Sequence, residues 1–159
     1  MIRTGIGYDS HRFAPPGPLV LGGVTIESDV RLAGHSDGDA VAHAVTDAIL
    51  GAAALGDIGR LFPDTDPANE NRDSIGMLRV AVARVHAAGW RVQQIDVVVV
   101  TEYPRLQPHR DAMRACLAEA LEVRPEDVSL KGKSNEGMGW IGRGEGLACL
   151  ATATLVRAE

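Results

Sequence analysis

One segment constrains the fold more than any other: IDVVVVTE, from Ile95 to Glu102, in which six of the eight residues are β-branched. β-branched residues favour extended backbone, and a continuous apolar run is typical of a strand that is buried within a sheet. Apolar residues recur at helical spacing in Ser36–Leu55, with Ser36 or Asp37 as the N-cap. Two further helices are predicted over Ser74–Ala88 and Gln107–Leu121. We therefore expect a sheet that is covered by helices.

The other strands follow from shorter patterns. Residues 2–8 are predicted to form an opening strand, and Pro18–Ile26 a hairpin that turns at two consecutive glycines. The segments DVSLKGK, from Asp127, and GLACLATATLV, from Gly146, are predicted as the last two strands. This order predicts an α+β sandwich, a single domain over residues 1–159 with its helices on one face of a mixed sheet.

Composition narrows the functional class. The chain has 159 residues and a formal net charge of −5, with no basic run, so it lacks the electrostatic footprint of a nucleic-acid-binding protein. If the ligand carries phosphates, metal ions must supply most of the positive charge. No apolar stretch is long enough to span a bilayer, and no secretory signal precedes the first strand. The two cysteines, Cys116 and Cys149, form no CxxC motif, so we expect reduced thiols and a cytoplasmic location.

The segment GYDSHRF presents a candidate metal site. Alternate residues of a strand point to the same side, so Asp9 and His11 should project together. His43, inside the strongest predicted helix, is the candidate third ligand; two histidines and one carboxylate leave a fourth position open, as in catalytic zinc sites. The alternatives are a surface pair that caps the next turn and a solvated histidine paired with Asp39 or Asp47.

Three further segments carry polar groups. His35 precedes the predicted helix and would form an anion site together with the free backbone amides of the helix N-terminus. Asp57 lies among glycines, either to accept hydrogen bonds from ligand hydroxyls or as part of a helix C-cap and turn. The glycine-rich segment Lys131–Gly146 is either a phosphate cradle or a plain hairpin. The polar loop Phe62–Asp73 is expected to be a mobile lid, with a tolerated surface loop as the alternative.

Several motifs together resemble one enzyme family. The segments GYDSHRF, LGGV, HSDGDAVAHAVTDAILGAAALGDIGRLFPDTDP and GRGEG are similar to those of the 2-C-methyl-D-erythritol 2,4-cyclodiphosphate synthases, and the resemblance extends from about Gly5 to Leu155. It implies a homotrimer with active sites between neighbouring subunits. It also implies a step of non-mevalonate isoprenoid biosynthesis: the 2-phosphate of 4-diphosphocytidyl-2-C-methyl-D-erythritol 2-phosphate attacks the β-phosphorus, and CMP leaves.

The resemblance also implies roles for individual residues. Asp9, His11 and His43 match zinc ligands, and Glu136 matches the ligand of a second divalent ion, Mg²⁺ or Mn²⁺. His35 and Ser134 match positions that stabilise the transition state. Arg143 matches a position at the trimer axis, where some members hold an isoprenoid diphosphate. The implied substrate-binding residues are Asp9, His11, His35, Ser36, Asp57, Ile58, Gly59, Phe62, Pro63, Asp64, Thr65, Asp66, Thr101, Arg105, Leu106, Gln107, Lys133, Ser134, Asn135, Glu136, Trp140 and Arg143.

Two segments depart from the family pattern. The segment after Lys131 is threonine-rich in many members, whereas here Ser134 supplies the hydroxyl; TEYPRLQPH differs from common members in its side chains. Two other functions compete with the synthase. A zinc phosphohydrolase would use water as the attacking group, and the chain offers no obvious second general base for it. A non-catalytic trimeric module would bind isoprenoid diphosphates through Arg143.

Overall fold

The computed structural model describes residues 1–159, and its strands form one mixed five-stranded sheet and one separate hairpin. The sheet has the order β4-β1-β7-β5-β6, in which only β5 and β6 are parallel. β2 and β3 pair as the predicted hairpin around Gly22 and Gly23. In chain order the strands are β1 (Ile2–Ala14), β2 (Leu19–Leu21), β3 (Val24–Ile26), β4 (Arg31–Leu32), β5 (Trp90–Val100), β6 (Val128–Lys133) and β7 (Gly146–Arg157).

The helices pack on one face of the sheet, as predicted. They are α1 (Ala40–Ala52), α2 (Ile58–Leu61), α3 (Ser74–Ala87), α4 (Arg110–Leu121) and α5 (Gly139–Gly142). α1 is almost wholly buried because its small apolar residues lie between the sheet and α3. α4 begins three residues later than predicted, since Gln107–His109 form a short 3-10 turn first. None of the helices is both long enough and apolar enough to cross a membrane.

Two glycines of β1 let α1 approach the sheet closely. A Cβ atom at Gly7 would lie 1.9 Å from the Ala44 carbonyl oxygen, and one at Gly5 would lie 2.1 Å from that of Ala48. Any larger residue at either position would therefore push the helix away from the strand. This close contact brings the side of α1 that carries His43 against the side of β1 that carries two of the predicted metal ligands.

The start of α1 differs from the sequence prediction. The N-cap is Asp39, three residues after Ser36, and its carboxylate accepts hydrogen bonds from the backbone amide of Ala42 and from those of Gly22 and Gly23 in the hairpin turn. Asp39 is fully buried, so the single carboxylate both caps the helix and holds the hairpin against it. Asp39 thus satisfies one amide of the helix N-terminus, that of Ala42, and the anion site beside His35 stays a prediction.

One face of the sheet is uncovered. On β5, Ile95, Val97 and Val99 are buried under the helices, whereas Val98 and Val100 on the other face are only half-buried. The predicted strand is therefore present, but in the single chain it is buried only on the side that faces the helices. The exposed face continues across the sheet with large apolar side chains, namely Ile2, Ile6, Tyr8 and Leu150.

The polar loop Phe62–Asp73 has more internal structure than its composition indicates. Phe62 is buried beneath the guanidinium group of Arg72, and Asn69 donates a side-chain hydrogen bond to the Pro63 carbonyl at 2.9 Å. Asp66 caps a short 3-10 turn over Pro67–Asn69. The loop is therefore joined to itself at several points, and its closure as a lid stays a prediction.

Candidate active site

Asp9, His11 and His43 converge on one point. β1 extends to Ala14, so Asp9 and His11 lie within the strand instead of at its end, and alternation places both on the α1 side. His11 Nε2 lies 2.8 Å from Asp9 Oδ2, His43 Nδ1 lies 3.0 Å from the same oxygen, and the two nitrogens are 3.4 Å apart. The three potential ligand atoms lie within 4.8 Å of one another. This geometry contradicts both the surface-pair and the solvated-helix alternatives.

The other ring nitrogen of each histidine contacts an oxygen. His11 Nδ1 is 2.7 Å from the Ala33 carbonyl oxygen, so Nδ1 carries a proton and Nε2 is the nitrogen left to bind a metal ion at the point where Asp9 and His43 meet. His43 Nε2 is 2.8 Å from the Ser74 hydroxyl and 3.0 Å from that of Ser36. Metal-binding histidines usually have such a partner on the nitrogen that does not bind the metal.

The electrostatics of these three residues favour positive charge next to the ionised Asp9 carboxylate. Burial raises the pKa of Asp9, but hydrogen bonds and charge from His11 and His43 outweigh it and hold the pKa below its usual value. Burial lowers the pKa of His11, but Asp9 and the Ala33 carbonyl outweigh that effect and raise the pKa. The donor set of two imidazoles and one carboxylate suits a divalent transition metal such as zinc.

A cavity of about 310 Å³ opens beside this group. His35 and Ser36 form one part of its wall, and residues after α1 form another: Ile58, Gly59, Phe62 and Asp64. The family resemblance implies that Asp57–Gly59 and Phe62–Asp66 lie around the polyol of the substrate, and together they are called the polyol segment. The structure therefore brings the predicted metal ligands together with part of this predicted polyol segment. Pro63, Thr65 and Asp66 do not line this cavity.

Asp57 has a local role that the sequence did not predict. It is the N-cap of α2, and its carboxylate accepts a hydrogen bond from the Arg60 amide at 2.8 Å, so the helix C-cap alternative is wrong. The next amide, Ile58 N–H, donates to Asp47 of α1 at 2.7 Å. Burial raises the pKa of Asp47, although the Ile58 amide counteracts it. The helix that carries His43 therefore also holds the start of the polyol segment.

A second cavity, of about 500 Å³, lies at the ends of β5 and β6. Its wall includes Thr101, Arg105, Leu106, Gln107, Lys133 and Ser134, all of them predicted site residues, together with Arg110. No residue is shared between this cavity and the one beside the histidines. Within one chain the two groups of predicted site residues thus form separate half-sites.

Glu102 holds the turn that carries Ser134 and Glu136. Its Oε1 atom accepts hydrogen bonds from the backbone amides of Asn135 and Gly137, each at 3.0 Å. Glu136, between them, has a φ of 53°, a left-handed conformation that a non-glycine residue adopts only with local support. The glycine-rich segment is therefore a fixed turn followed by the short helix α5, and not a plain hairpin.

Two predicted residues lie in a third region. Trp140 is part of a shallow cavity of about 210 Å³ with Ser10 and Glu145. Arg143 donates to Glu145 at 2.7 Å. Neither Trp140 nor Arg143 lines the cavity beside the histidines.

Comparisons with known proteins agree with this geometry. The model of the YgbB family matches residues 2–156. A 2-C-methyl-D-erythritol 2,4-cyclodiphosphate synthase from Gemmatimonas aurantiaca is 61% identical over 156 residues, which cover 98% of this chain and 94% of that protein. A solved 2C-methyl-D-erythritol-2,4-cyclodiphosphate synthase with CDP bound is 40% identical with a TM-score of 0.89, and the alignment covers 97% of this chain and 100% of that one. The bifunctional IspDF of Campylobacter jejuni gives a TM-score of 0.96 at 41% identity; all of this chain aligns with 43% of that protein.

Proposed function

The chain belongs to the YgbB family, and on that premise we propose that it is a 2-C-methyl-D-erythritol 2,4-cyclodiphosphate synthase of non-mevalonate isoprenoid biosynthesis. The reaction is a phosphorus–oxygen lyase reaction within one molecule of 4-diphosphocytidyl-2-C-methyl-D-erythritol 2-phosphate. An oxygen of the 2-phosphate forms a bond to the β-phosphorus. The bond from that phosphorus to the bridging oxygen breaks, and CMP leaves with the bridging oxygen on its phosphate.

The observation that carries this proposal is the shared cavity. Asp9, His11 and His43 line the same space as Ile58, Gly59, Phe62 and Asp64, which belong to the segment proposed to contact the polyol. A substrate that contacts this segment would therefore present its phosphates to the metal-binding group. Phosphoryl transfer depends mainly on such positioning and on the neutralisation of charge. This chain has a net charge of −5, so bound cations are needed for that neutralisation.

Two metal ions fit the side chains present. Zinc would bind Asp9, His11 and His43, and Mg²⁺ or Mn²⁺ would bind the exposed carboxylate of Glu136. When bound, these ions polarise the phosphates and offset the charge that develops on the leaving group. The chain's own contribution is to orient the ligands: Ala33 and Ser74 fix the two imidazoles, and Glu102 fixes the turn around Glu136.

The remaining residues take their proposed roles from their positions. His35, which lines the cavity beside the metal-binding group, and Ser134 would donate hydrogen bonds to the phosphates in the transition state. Thr101, Arg105 and Gln107 line the second cavity and would enclose the cytosine, as the family resemblance implies; a related solved structure contains CDP. The polyol and phosphate contacts would come from Ser36, Asp57, Pro63, Thr65, Asp66, Lys133 and Asn135.

We propose a homotrimer that completes the active site from two chains. Two observations support it: the half-sites of one chain share no residue, and the outer sheet face exposes Ile6 to 68% and Tyr8 to 54%. An apolar face of this kind is typical of a surface that a partner subunit covers. Arg143 would lie at the trimer axis, where an isoprenoid diphosphate would bind, and Trp140 would contact the substrate. Residues 1–159 would form one cyclodiphosphate-synthase-like domain in each subunit.

The proposed compartment is the cytoplasm. Cys116 and Cys149 are both free, and the buried Cys149 thiol has a pKa that burial raises well above its usual value. Unpaired, unreactive thiols are typical of proteins from a reducing compartment.

The experiment that tests the function follows the phosphorus atoms. Purified protein is incubated with 4-diphosphocytidyl-2-C-methyl-D-erythritol 2-phosphate, zinc and Mg²⁺, and the products are resolved by ³¹P NMR. We expect a cyclic diphosphate and CMP in equal amounts. Release of CMP together with a product that carries two separate monophosphates, one at the 2-position and one at the 4-position, would instead identify a phosphohydrolase. Ligand binding without turnover would identify a non-catalytic binding module.

A further inference from the structure

A chain of buried polar groups lies behind His43, on the side of the ring away from Asp9. His43 Nε2 is 2.8 Å from Ser74 Oγ, and the Ser74 hydroxyl donates a hydrogen bond to Asp37 Oδ1. The Ser74 amide donates to the other carboxylate oxygen of Asp37 at 3.1 Å. Ser74 is fully buried, although it belongs to α3 and lies 31 residues from His43 in the sequence.

We propose that Ser74 and Asp37 are positioning residues for the metal site: they fix the tautomer and the orientation of the His43 imidazole so that Nδ1 faces the metal. The inference rests on the proposed zinc site of the synthase. It adds two residues that do not touch the metal or the substrate.

The direction of the hydrogen bonds decides the tautomer. An ionised carboxylate only accepts hydrogen bonds, so the Ser74 hydroxyl proton is directed to Asp37. The Ser74 oxygen then has only lone pairs for His43, and Nε2 must carry the ring proton. The neutral imidazole has one ring proton, so Nδ1 presents its lone pair to the point where Asp9 and His11 meet.

Asp37 also prevents Ser74 from turning away. Its two oxygens bond the hydroxyl and the amide of the same residue, so rotation of the Ser74 side chain would break a charge-assisted hydrogen bond in a buried site. The Asp39 amide donates to Asp37 Oδ1 at 3.1 Å and holds the carboxylate in turn. The N-cap Asp73 accepts hydrogen bonds from the Ile75 and Gly76 amides and so holds the first turn of α3, which begins at Ser74.

Ser36 is the weaker partner of the same nitrogen. Its hydroxyl oxygen lies 3.0 Å from His43 Nε2 and accepts a hydrogen bond from the Gly38 amide at 3.4 Å. No carboxylate accepts the Ser36 hydroxyl proton. Because the Ser36 proton has no fixed direction, this hydroxyl does not select a tautomer. It also lines the cavity, whereas Ser74 does not.

The test measures zinc affinity without substrate. The metal-free protein is titrated with zinc in competition with a chromophoric chelator, for the wild type and for Ser74→Ala, Ser74→Cys and Asp37→Asn. We expect affinity to fall about 10- to 100-fold in both Ser74 variants, the range typical for loss of a ligand's hydrogen-bond partner. Asp37→Asn should show a smaller loss, because a neutral amide oxygen is a weaker acceptor for the Ser74 hydroxyl.

A control variant and a second readout separate orientation from general destabilisation. Thr46→Ala is the control. It removes a fully buried hydroxyl on α1 that donates to the Ala42 carbonyl and does not contact a histidine, so zinc affinity should stay unchanged. In long-range ¹H–¹⁵N spectra of the zinc-loaded wild type, the His43 ring should show a proton on Nε2. In the Ser74→Ala variant this Nε2 proton should exchange faster with solvent.

The outcomes are distinct. If Ser74→Ala folds and binds zinc within twofold of the wild type, the positioning role is refuted. If Ser74→Ala does not fold, Asp37→Asn and Ser74→Cys decide by the same criterion. If the wild type itself binds no zinc at the histidines, it is the proposed metal site that fails, independently of Ser74.

Discussion

Gly7 of β1 lies directly against Ala44 of α1: a Cβ atom on the glycine would lie only 1.9 Å from the Ala44 carbonyl oxygen. Ala44 is the neighbour of His43, so the strand-to-helix distance at this point sets the distance between His43 and Asp9. The metal-binding geometry therefore depends on a residue that has no side chain.

The first prediction follows from this contact. Gly7→Ala should destabilise the protein by about 1–3 kcal/mol, the usual cost of overpacking, and should weaken zinc binding, because α1 must move away from β1. Gly51→Ala is the matched control, since a Cβ atom there would meet nothing closer than 3.9 Å. Alanine is also more favourable than glycine inside a helix, so this variant should not be destabilised. Urea unfolding and zinc titration of both variants check the prediction. Unchanged zinc affinity in a folded Gly7→Ala variant would contradict it.

The second prediction concerns the ligands themselves. His11→Ala and His43→Ala should each lose stoichiometric zinc and cyclisation activity together, because two remaining ligands do not hold the ion against solvent. His86→Ala is the control: this histidine pairs with Glu122 on the surface of α3 and should retain zinc. Metal content after gel filtration, measured by mass spectrometry, tests the assignment. Full zinc occupancy in either ligand variant would exclude it.

The third prediction is a pH dependence at Asp47. Burial raises the folded-state pKa of this carboxyl above its ordinary value of 3.8, so the ionised form is disfavoured in the folded protein. As the pH rises from about that value through the folded-state pKa, ionisation of Asp47 therefore lowers the free energy of unfolding of the wild type. Asp47→Asn cannot ionise and should gain in Tm relative to the wild type over that interval, with the difference vanishing at lower pH. Thermal melts from pH 3 to 8 at intervals of roughly one unit would measure it.

The Asp47→Asn substitution should also affect activity. Its oxygen accepts the Ile58 amide at 2.7 Å and so holds the start of the polyol segment. An asparagine oxygen can accept the same bond, but with less strength. The variant should therefore be more stable at neutral pH yet show a higher KM. A Tm difference that does not change with pH would show that ionisation of Asp47 is not involved.

The fourth prediction concerns Glu102. Glu102→Ala removes both hydrogen bonds that hold the turn from Ser134 to Gly137, so the proposed catalytic hydroxyl and metal ligand lose their fixed positions. We expect kcat to fall about 10- to 100-fold, since small displacements of catalytic groups have effects of that size. Zinc content should stay at the wild-type level, because Glu102 lies outside the cavity beside the histidines. Glu27→Ala, at an exposed residue with no hydrogen bond or ion pair, is the control. A normal kcat in the Glu102 variant would contradict the role.

The fifth prediction compares two surface residues of equal exposure. Leu150 on the open sheet face and Val80 on α3 are each 36% exposed. Leu150→Lys should dissociate the proposed trimer and abolish activity, because a lysine at the centre of an apolar interface is unfavourable, whereas Val80→Lys should do neither. Light scattering coupled to gel filtration, followed by the activity assay, distinguishes the outcomes. An active monomer would refute the shared active site.

Local sequence patterns determined a large part of the fold and of the candidate metal site. Strand alternation alone placed Asp9 and His11 on the same side of β1, and helical spacing placed His43 on a helix. These patterns are readable because the periods of strand and helix are set by backbone geometry, which does not depend on the rest of the chain. The roles of individual substrate residues came from the family resemblance and not from periodicity.

Tertiary packing alone decided the contacts between distant residues. The Ser74 hydroxyl bonds a histidine 31 residues away, and Asp39 bonds the turn at Gly22 and Gly23; no periodicity encodes either contact. The open face of β5 was also missed, because an apolar run looks the same whether helices or a second subunit would cover it. Such features depend on how closely elements approach one another, as at Gly7, and a short-range pattern carries no information about that distance.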